Sequence, residues 1–283
     1  MPTIPAMRHR EGRERSGNRQ HLLFDADDTL WENNMYFEQA FADFVTFLNH
    51  EHLSTAEIQA VMDELQIANR ATHGFGARSF ARSLRDTFRH ITGVPDDDPD
   101  LDSVGRMGLR ILDQHFEIMD GVLETIDALR PYHDLMMVTK GHLEEQKLKV
   151  ERSGIEQHFD AVMIVDEKDE HVYRSIVDSL DLDPRLTWMI GNSPRSDVNP
   201  AIRAGINAVY IPHPRTWHLE VEEVLSVYDP SQTLLQLSRF SELTSVFAPR
   251  GPGIPATPTT DPDDRAMTNS NDAPVPGSPG AEK

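Results

Sequence analysis

From residue 21 to residue 211, short apolar runs alternate with longer stretches whose apolar positions recur at helical spacing. The runs are 22–25, 135–139, 161–165, 187–191 and 208–211, rich in Val, Ile, Leu and Met. Each is apolar on consecutive positions, the pattern of a strand covered on both faces of a parallel sheet. The stretches 143–153, 173–180 and 198–204 read as crossover helices. Strand and helix in alternation predict an α/β fold with a doubly wound parallel sheet.

The interval 33–115 breaks this rhythm. It holds no strand-like run, only helical segments at 35–49, 56–70 and 79–91, and its Asp96–Asp100 cluster with Pro95 and Pro99 reads as a loop. An all-helical insertion directly after the first strand would lie over the carboxyl ends of the strands, where open α/β sheets bind ligands. The expected organisation is an α/β core of residues 20–32 and 116–247, with a helical cap of 33–115 as a candidate lid. Residues 1–19 are polar, with Arg8, Arg10, Arg13, Arg15 and Arg19, and are expected to be disordered. Residues 248–283 are dominated by Pro, Gly, Asp, Thr and Ser, too poor in large apolar side chains to offset the entropy of ordering, and are expected to be a flexible tail.

Composition narrows the function. The chain of 283 residues is 38% hydrophobic and has no Cys, which excludes disulfides and thiolate metal sites. No apolar run approaches the roughly 20 residues of a membrane helix, and the Arg-rich start lacks the apolar stretch of a signal peptide. A cytoplasmic protein with no membrane partner is the expectation. The formal net charge of −20 argues against general nucleic-acid binding, which rests on Lys and Arg neutralising phosphates. It leaves room for a small phosphorylated substrate, because a divalent cation and a few donors reverse the field inside one pocket.

Candidate chemistry sits at the strand ends. The first strand runs into Phe24-Asp25-Ala26-Asp27-Asp28-Thr29-Leu30. A tight turn after Asp25 would bring Asp25 and Asp27 to one pocket, offering hard oxygen ligands for Mg²⁺, a nucleophile and a proton donor. Taken alone, the segment reads equally as a turn and helix cap. The second strand ends in Thr139-Lys140-Gly141, a hydroxyl and backbone N–H groups at a helix start. Asp166-Glu167-Lys168-Asp169 follows the third, and Gly191-Asn192-Ser193-Pro194-Arg195-Ser196-Asp197 follows the fourth. Each has a bland reading as a cap, a turn or a solvated charge cluster. Their agreement at one sheet edge carries the case.

This ordered series, DADDT, TKG, a later Lys and GNSPRSD, resembles the phosphatase-like branch of the haloacid dehalogenase (HAD) superfamily. The resemblance implies a Rossmann-like core with a cap, and an Mg²⁺-dependent hydrolysis of a small phosphate monoester. It makes Asp25 the nucleophile, Asp27 the general acid/base whose carbonyl also faces the metal, and Thr139 a donor to the phosphoryl group. Lys168, with Lys140 as second candidate, would neutralise charge, Gly141 would join the phosphate-binding turn, and Asn192 and Asp197 would complete the metal shell. Asn192 departs from the acid common at its position. Dehalogenases of the superfamily lack the second acid, so Asp27 favours phosphoryl chemistry. A phosphomutase and a non-catalytic binding protein with the same fold are the alternatives.

Elsewhere, Trp217 is expected to pack against the core within a rigid loop. Trp31 and Phe37 are expected to join cap and core, and Arg78 and Arg82 to face solvent.

Overall fold

The structure, a computed structural model, describes Pro5, Met7 and residues 19–248. Its centre is a parallel sheet of β1 (His21–Phe24), β2 (Asp134–Lys140), β3 (Ala161–Val165), β4 (Thr187–Gly191), β5 (Asn207–Tyr210) and β6 (Leu234–Gln236). The strand order is β3-β2-β1-β4-β5-β6. Phe24 stands level with Met137 on one side and Ile190 on the other. The five strands expected from the apolar runs are present, so the fold is the α/β doubly wound, Rossmann-like one. β6 was not foreseen: it is three half-exposed or exposed residues at the sheet edge, too short to leave a pattern.

Consecutive apolar positions are used on alternate faces, as strand geometry requires. Leu22, Phe24, Leu135, Met137, Ile190 and Val209 enter one core. Leu23, Met136, Val138, Met189 and Ala208 enter the other. Full burial of side chains this size contributes about 1.5–3 kcal/mol each, which is why both sheet faces are closed by helices. From β1 the chain steps outward to β2 and β3, then crosses to β4 and steps the other way. The reversal leaves a crevice at the carboxyl ends of β1 and β4, the place where such sheets bind ligands.

Between β1 and β2 lie α5 (Val122–Leu129), whose Val122, Ile126 and Leu129 join the first core, and before it four inserted helices, α1 (Asn34–Leu48), α2 (Thr55–His73), α3 (Ala77–Thr92) and α4 (Pro99–Leu109). These four have an apolar cluster of their own, with Phe44, Met62, Leu84 and Val104 fully buried. Ser54 and Glu57 form a capping box that starts α2. The segment expected to be a loop at 96–100 is in part the start of α4. Pro99 occupies the first turn and the Asp98 carboxylate accepts from the Asp100 N–H at 2.9 Å, a helix start that the Asp/Pro cluster also encodes. Gly108 is needed there, since a Cβ would meet the Ala81 backbone of α3.

The inserted helices are tied to the sheet's own helix α6 (Leu143–Ser153) by one carboxylate. Glu145, 2% exposed, accepts from the backbone N–H of Ala77 at 2.6 Å and of Arg78 at 3.2 Å, and from the Arg78 guanidinium at 3.0 Å. The residue before α3 is Gly76, which has no side chain to cap it, so Glu145 supplies the missing acceptor from across the fold. Arg78 is exposed, as expected, and its guanidinium is also paired with Glu145.

The segments 1–18 and 249–283 lie outside the described residues except for Pro5 and Met7, and with them most of the expected disordered ends. At the near edge of those ends the boundary moves. Arg19 pairs with Asp134 at 2.9 Å, and Met7 packs against the second core.

Gly76 has φ +116°, and a Cβ there would collide with the Glu145 carboxylate. Gly76→Ala is therefore expected to cost about 2 kcal/mol from backbone strain and a lost cap, measured as a lower urea midpoint at unchanged slope.

Candidate active site

The loop after β1 turns tightly because the Ala26 carbonyl accepts from the N–H groups of Thr29, Leu30 and Trp31 at 3.3, 2.8 and 3.3 Å. Asp28 takes up the turn at φ +60°, a conformation Asp tolerates. Its carboxylate accepts from the N–H of Asn33 and Asn34 at 2.9 and 3.0 Å, so Asp28 anchors the start of α1. The turn leaves Asp25 and Asp27 lining one cavity of about 460 Å³.

Asp25 is 6% exposed and receives the Lys168 ammonium on Oδ1 and the Thr29 hydroxyl on Oδ2 at 2.9 Å. The same ammonium donates to Asp197 Oδ1 at 2.8 Å. Burial, then the Asp197 charge, push the Asp25 carboxyl up to about 7 against the pull of Lys168. Burial works to lower Lys168, but Asp197 and Asp25 outweigh it and hold the ammonium above its ordinary range.

Asp197 stands on a π-helical turn, Pro194–Val198, opened by Ser193. Its Oδ2 accepts from the Ser193 N–H at 2.9 Å. Gly191 makes room for it, because a Cβ there would collide with the Asp197 side chain. Asn192 Oδ1 lies 3.3 Å from the Thr29 hydroxyl, and its amide donates to Thr216 at 2.9 Å. Thr29 thus brings the side-chain oxygens of Asp25 and Asn192 to one place.

Asp27 is held by a separate set. Lys149 reaches Oδ1 at 3.0 Å and Oδ2 at 2.8 Å, the Trp31 indole donates to Oδ1 at 2.8 Å, and Gln146 Nε2 lies 3.1 Å from Oδ2. Gln146 also donates to the Thr139 hydroxyl at 2.6 Å, which leaves the Thr139 O–H free to donate into the cavity.

Two expectations at β2 change. The Gly141 N–H is committed to the Val165 carbonyl at 2.9 Å, extending the ladder, so it does not face an anion. Lys140 turns away from Asp25. Its ammonium donates to Ser196 at 2.7 Å and Glu220 at 2.8 Å, and sits 4.1 Å from the centre of the Phe75 ring. Burial opposes ionisation of Glu220, but Lys140 and the hydroxyls of Ser196 and Ser193 hold its carboxyl below the usual range. Lys168 therefore takes the place beside Asp25. A third change concerns Trp217, which is half-buried and lines the cavity instead of joining the core.

Trp31 is fully buried in the core, while Phe37 packs on Phe80 among the inserted helices and also lines the cavity. Gln146, Lys149 and Glu220 were missed. The signal for the first two was present: Glu145, Gln146 and Lys149 are polar on the inward face of α6, where periodicity calls for apolar residues.

The residues fit Mg²⁺. Asp25, Asn192, Asp197 and the Asp27 carbonyl offer only hard oxygens. Asp25 and Asp197 are buried against one ammonium, an excess of negative charge that a divalent cation relieves. Among the described residues, Asp28, Glu32 and His213 form the one group of three His or acidic side chains close enough to share an ion. Asp28 is already spent there on the start of α1.

Residues 20–205 match the family model for haloacid dehalogenase-like hydrolases, and the chain belongs to that family. The mouse N-acylneuraminate-9-phosphatase is 27% identical over 100 residues, which are 34% of this chain and 40% of that protein. The match thus spans about two fifths of that relative's length. A haloacid dehalogenase-like family hydrolase from Xanthomonas campestris superposes with a TM-score of 0.66 at 29% identity, covering 81% of this chain and 93% of that one. The magnesium-bound HAD-hydrolase YfnB from Bacillus subtilis matches at TM-score 0.57 and 16% identity, over 81% and 99% of the two chains, which shows the fold. Several other matched structures are haloacid dehalogenases.

The raised Asp25 carboxyl has a consequence for stability. In EDTA, ionised Asp25 burdens the folded state fully above about pH 7, and the burden fades as pH falls toward the ordinary 3.8. Asp25→Asn removes it. The variant's gain in Tm is expected to be larger at pH 8 than at pH 5, read by calorimetry.

Proposed function

We propose that this chain is a phosphatase, hydrolysing a small phosphate monoester through an aspartyl-phosphate on Asp25. The observation that carries this reading is the pair of carboxylates in one cavity, each with its own lysine: Asp25 with Lys168, and Asp27 with Lys149. A nucleophile and a separately held acid are what phosphoryl transfer to water requires. Displacement of a halide needs no proton donor, so Asp27 has no task in a dehalogenase. The phosphatase among the relatives supports the same choice.

In the first step an Asp25 oxygen attacks phosphorus, and the P–O bond to the alcohol breaks as Asp27 gives its proton to the leaving oxygen. Lys168 counters the charge on Asp25 and on the phosphoryl oxygens, while the free Thr139 O–H donates to one of them. In the second step Asp27 takes a proton from water, whose oxygen attacks the same phosphorus. Asp25 and inorganic phosphate are released. Asp25, the Asp27 carbonyl, Asn192 and Asp197 would hold Mg²⁺, whose charge would offset the repulsion between carboxylate and phosphate.

The α1–α4 insert acts as a cap in this reading. Phe37, Phe41, Phe75 and Phe80 supply an aromatic wall, and Gln59, Gln66 and Arg70 polar groups, to the cavity above Asp25. That space suits a small phosphorylated metabolite.

The test is phosphate release from a panel of small phosphate esters that includes N-acylneuraminate 9-phosphate, with Mg²⁺ or EDTA. Asp25→Asn is expected to lower turnover at least about 1,000-fold with the fold intact. Chloride released from 2-chloropropionate, with no phosphate from any ester, would show the dehalogenase reaction instead.

A further inference from the structure

We propose that Lys149 is the positioning residue for the general acid/base, an inference that rests on the phosphatase reading above. Its ammonium has three N–H donors, and all three are used: Asp27 Oδ1 at 3.0 Å, Asp27 Oδ2 at 2.8 Å and Asn33 Oδ1 at 2.7 Å. Contact with both oxygens of one carboxylate fixes the rotation of its plane, which a single donor leaves free. Trp31 and Gln146 then tie one oxygen each. Asp27 thus has a defined orientation in a cavity where its side chain remains 22% exposed.

Stability does not explain this lysine. Its side chain is only 6% exposed, and desolvating an ammonium costs about as much as a buried pair returns. An apolar residue would fill the space against Phe116, over whose ring the ammonium lies at 5.4 Å. Lys168 cannot substitute, because its ammonium is committed to Asp25 and Asp197. Through Asn33, Lys149 also links the acid to the start of α1, where the insert leaves the core. Misplacement of a reacting group by a fraction of an ångström is costly, so orientation of Asp27 is where Lys149 acts.

The test uses the full chain with phenyl phosphate, whose leaving oxygen needs a proton, and p-nitrophenyl phosphate, whose leaving oxygen needs one far less. Lys149→Met is expected to lower kcat on phenyl phosphate about 100-fold at nearly constant KM. The pre-steady-state release of p-nitrophenol should fall much less, and Lys149→Arg should recover part of the loss. In an Asp27→Asn background, Lys149→Met should cost nothing further, since the group it positions is gone. Equal losses on both esters, or additive losses in the double variant, overturn the proposal and leave Lys149 a structural residue. Lys149→Gln replaces the Met variant if that does not fold. A wild-type protein that cleaves neither ester removes the phosphatase reading separately. The crystal structure of Lys149→Met then decides: Asp27 displaced from Trp31 supports positioning, and Asp27 unmoved overturns it.

Discussion

The Lys168 ammonium lies against two buried carboxylates, those of Asp25 and Asp197, and the arrangement of the strand ends depends on it. One cation cannot neutralise two anions, so the site retains negative charge even with Lys168 fully protonated. Removing Lys168 from such a buried group costs about 3–5 kcal/mol, because the two carboxylates then lack compensation. The contact joins the segments after β1, β3 and β4, which belong to three crossover units far apart in the chain. A sheet whose strand order reverses beside β1 is the geometry that lets those segments meet.

The second carboxylate is handled differently. Asp27 is partly open to the cavity and is surrounded by donors, Lys149, Trp31 and Gln146, whereas Asp25 is desolvated and pressed by a like charge. Two acids separated by one residue therefore have environments that push them toward different tasks. The difference arises from their neighbours. Asp25 continues the strand direction into the crevice, while Asp27 lies beyond the turn on Ala26 and faces the inward side of α6.

α6 is the element on which the site and the insert meet. Its Glu145 caps α3, its Gln146 joins Thr139 to Asp27, and its Lys149 holds Asp27 and Asn33. These polar side chains are buried on the face that would otherwise be apolar, so the helix gives up part of its packing to position the insert and the acid. On the opposite side the loop after β5 reaches the insert through Arg215 with Glu38 and through His218 with Asp63.

The sequence by itself determined the sheet and the residues that could carry chemistry. Five apolar runs predicted five of the six strands, because a strand buried on both faces has to be apolar at every position. Asp25, Asp27, Thr139, Lys168, Asn192 and Asp197 were recognisable as polar groups at the ends of those runs, and all of them line one cavity. The start of α4 was hidden because Asp and Pro signal a loop and a helix cap alike, and β6 because three residues at an edge carry no periodicity. Which lysine serves which acid was decided only by the tertiary structure. Lys140 is next in the chain to Thr139 yet faces Glu220, Lys168 reaches Asp25 from the segment after β3, and Lys149 reaches Asp27 from α6. Local sequence sets the charge and the secondary structure of each segment, but partners 122 or 143 residues apart are chosen by how the helices pack on the sheet.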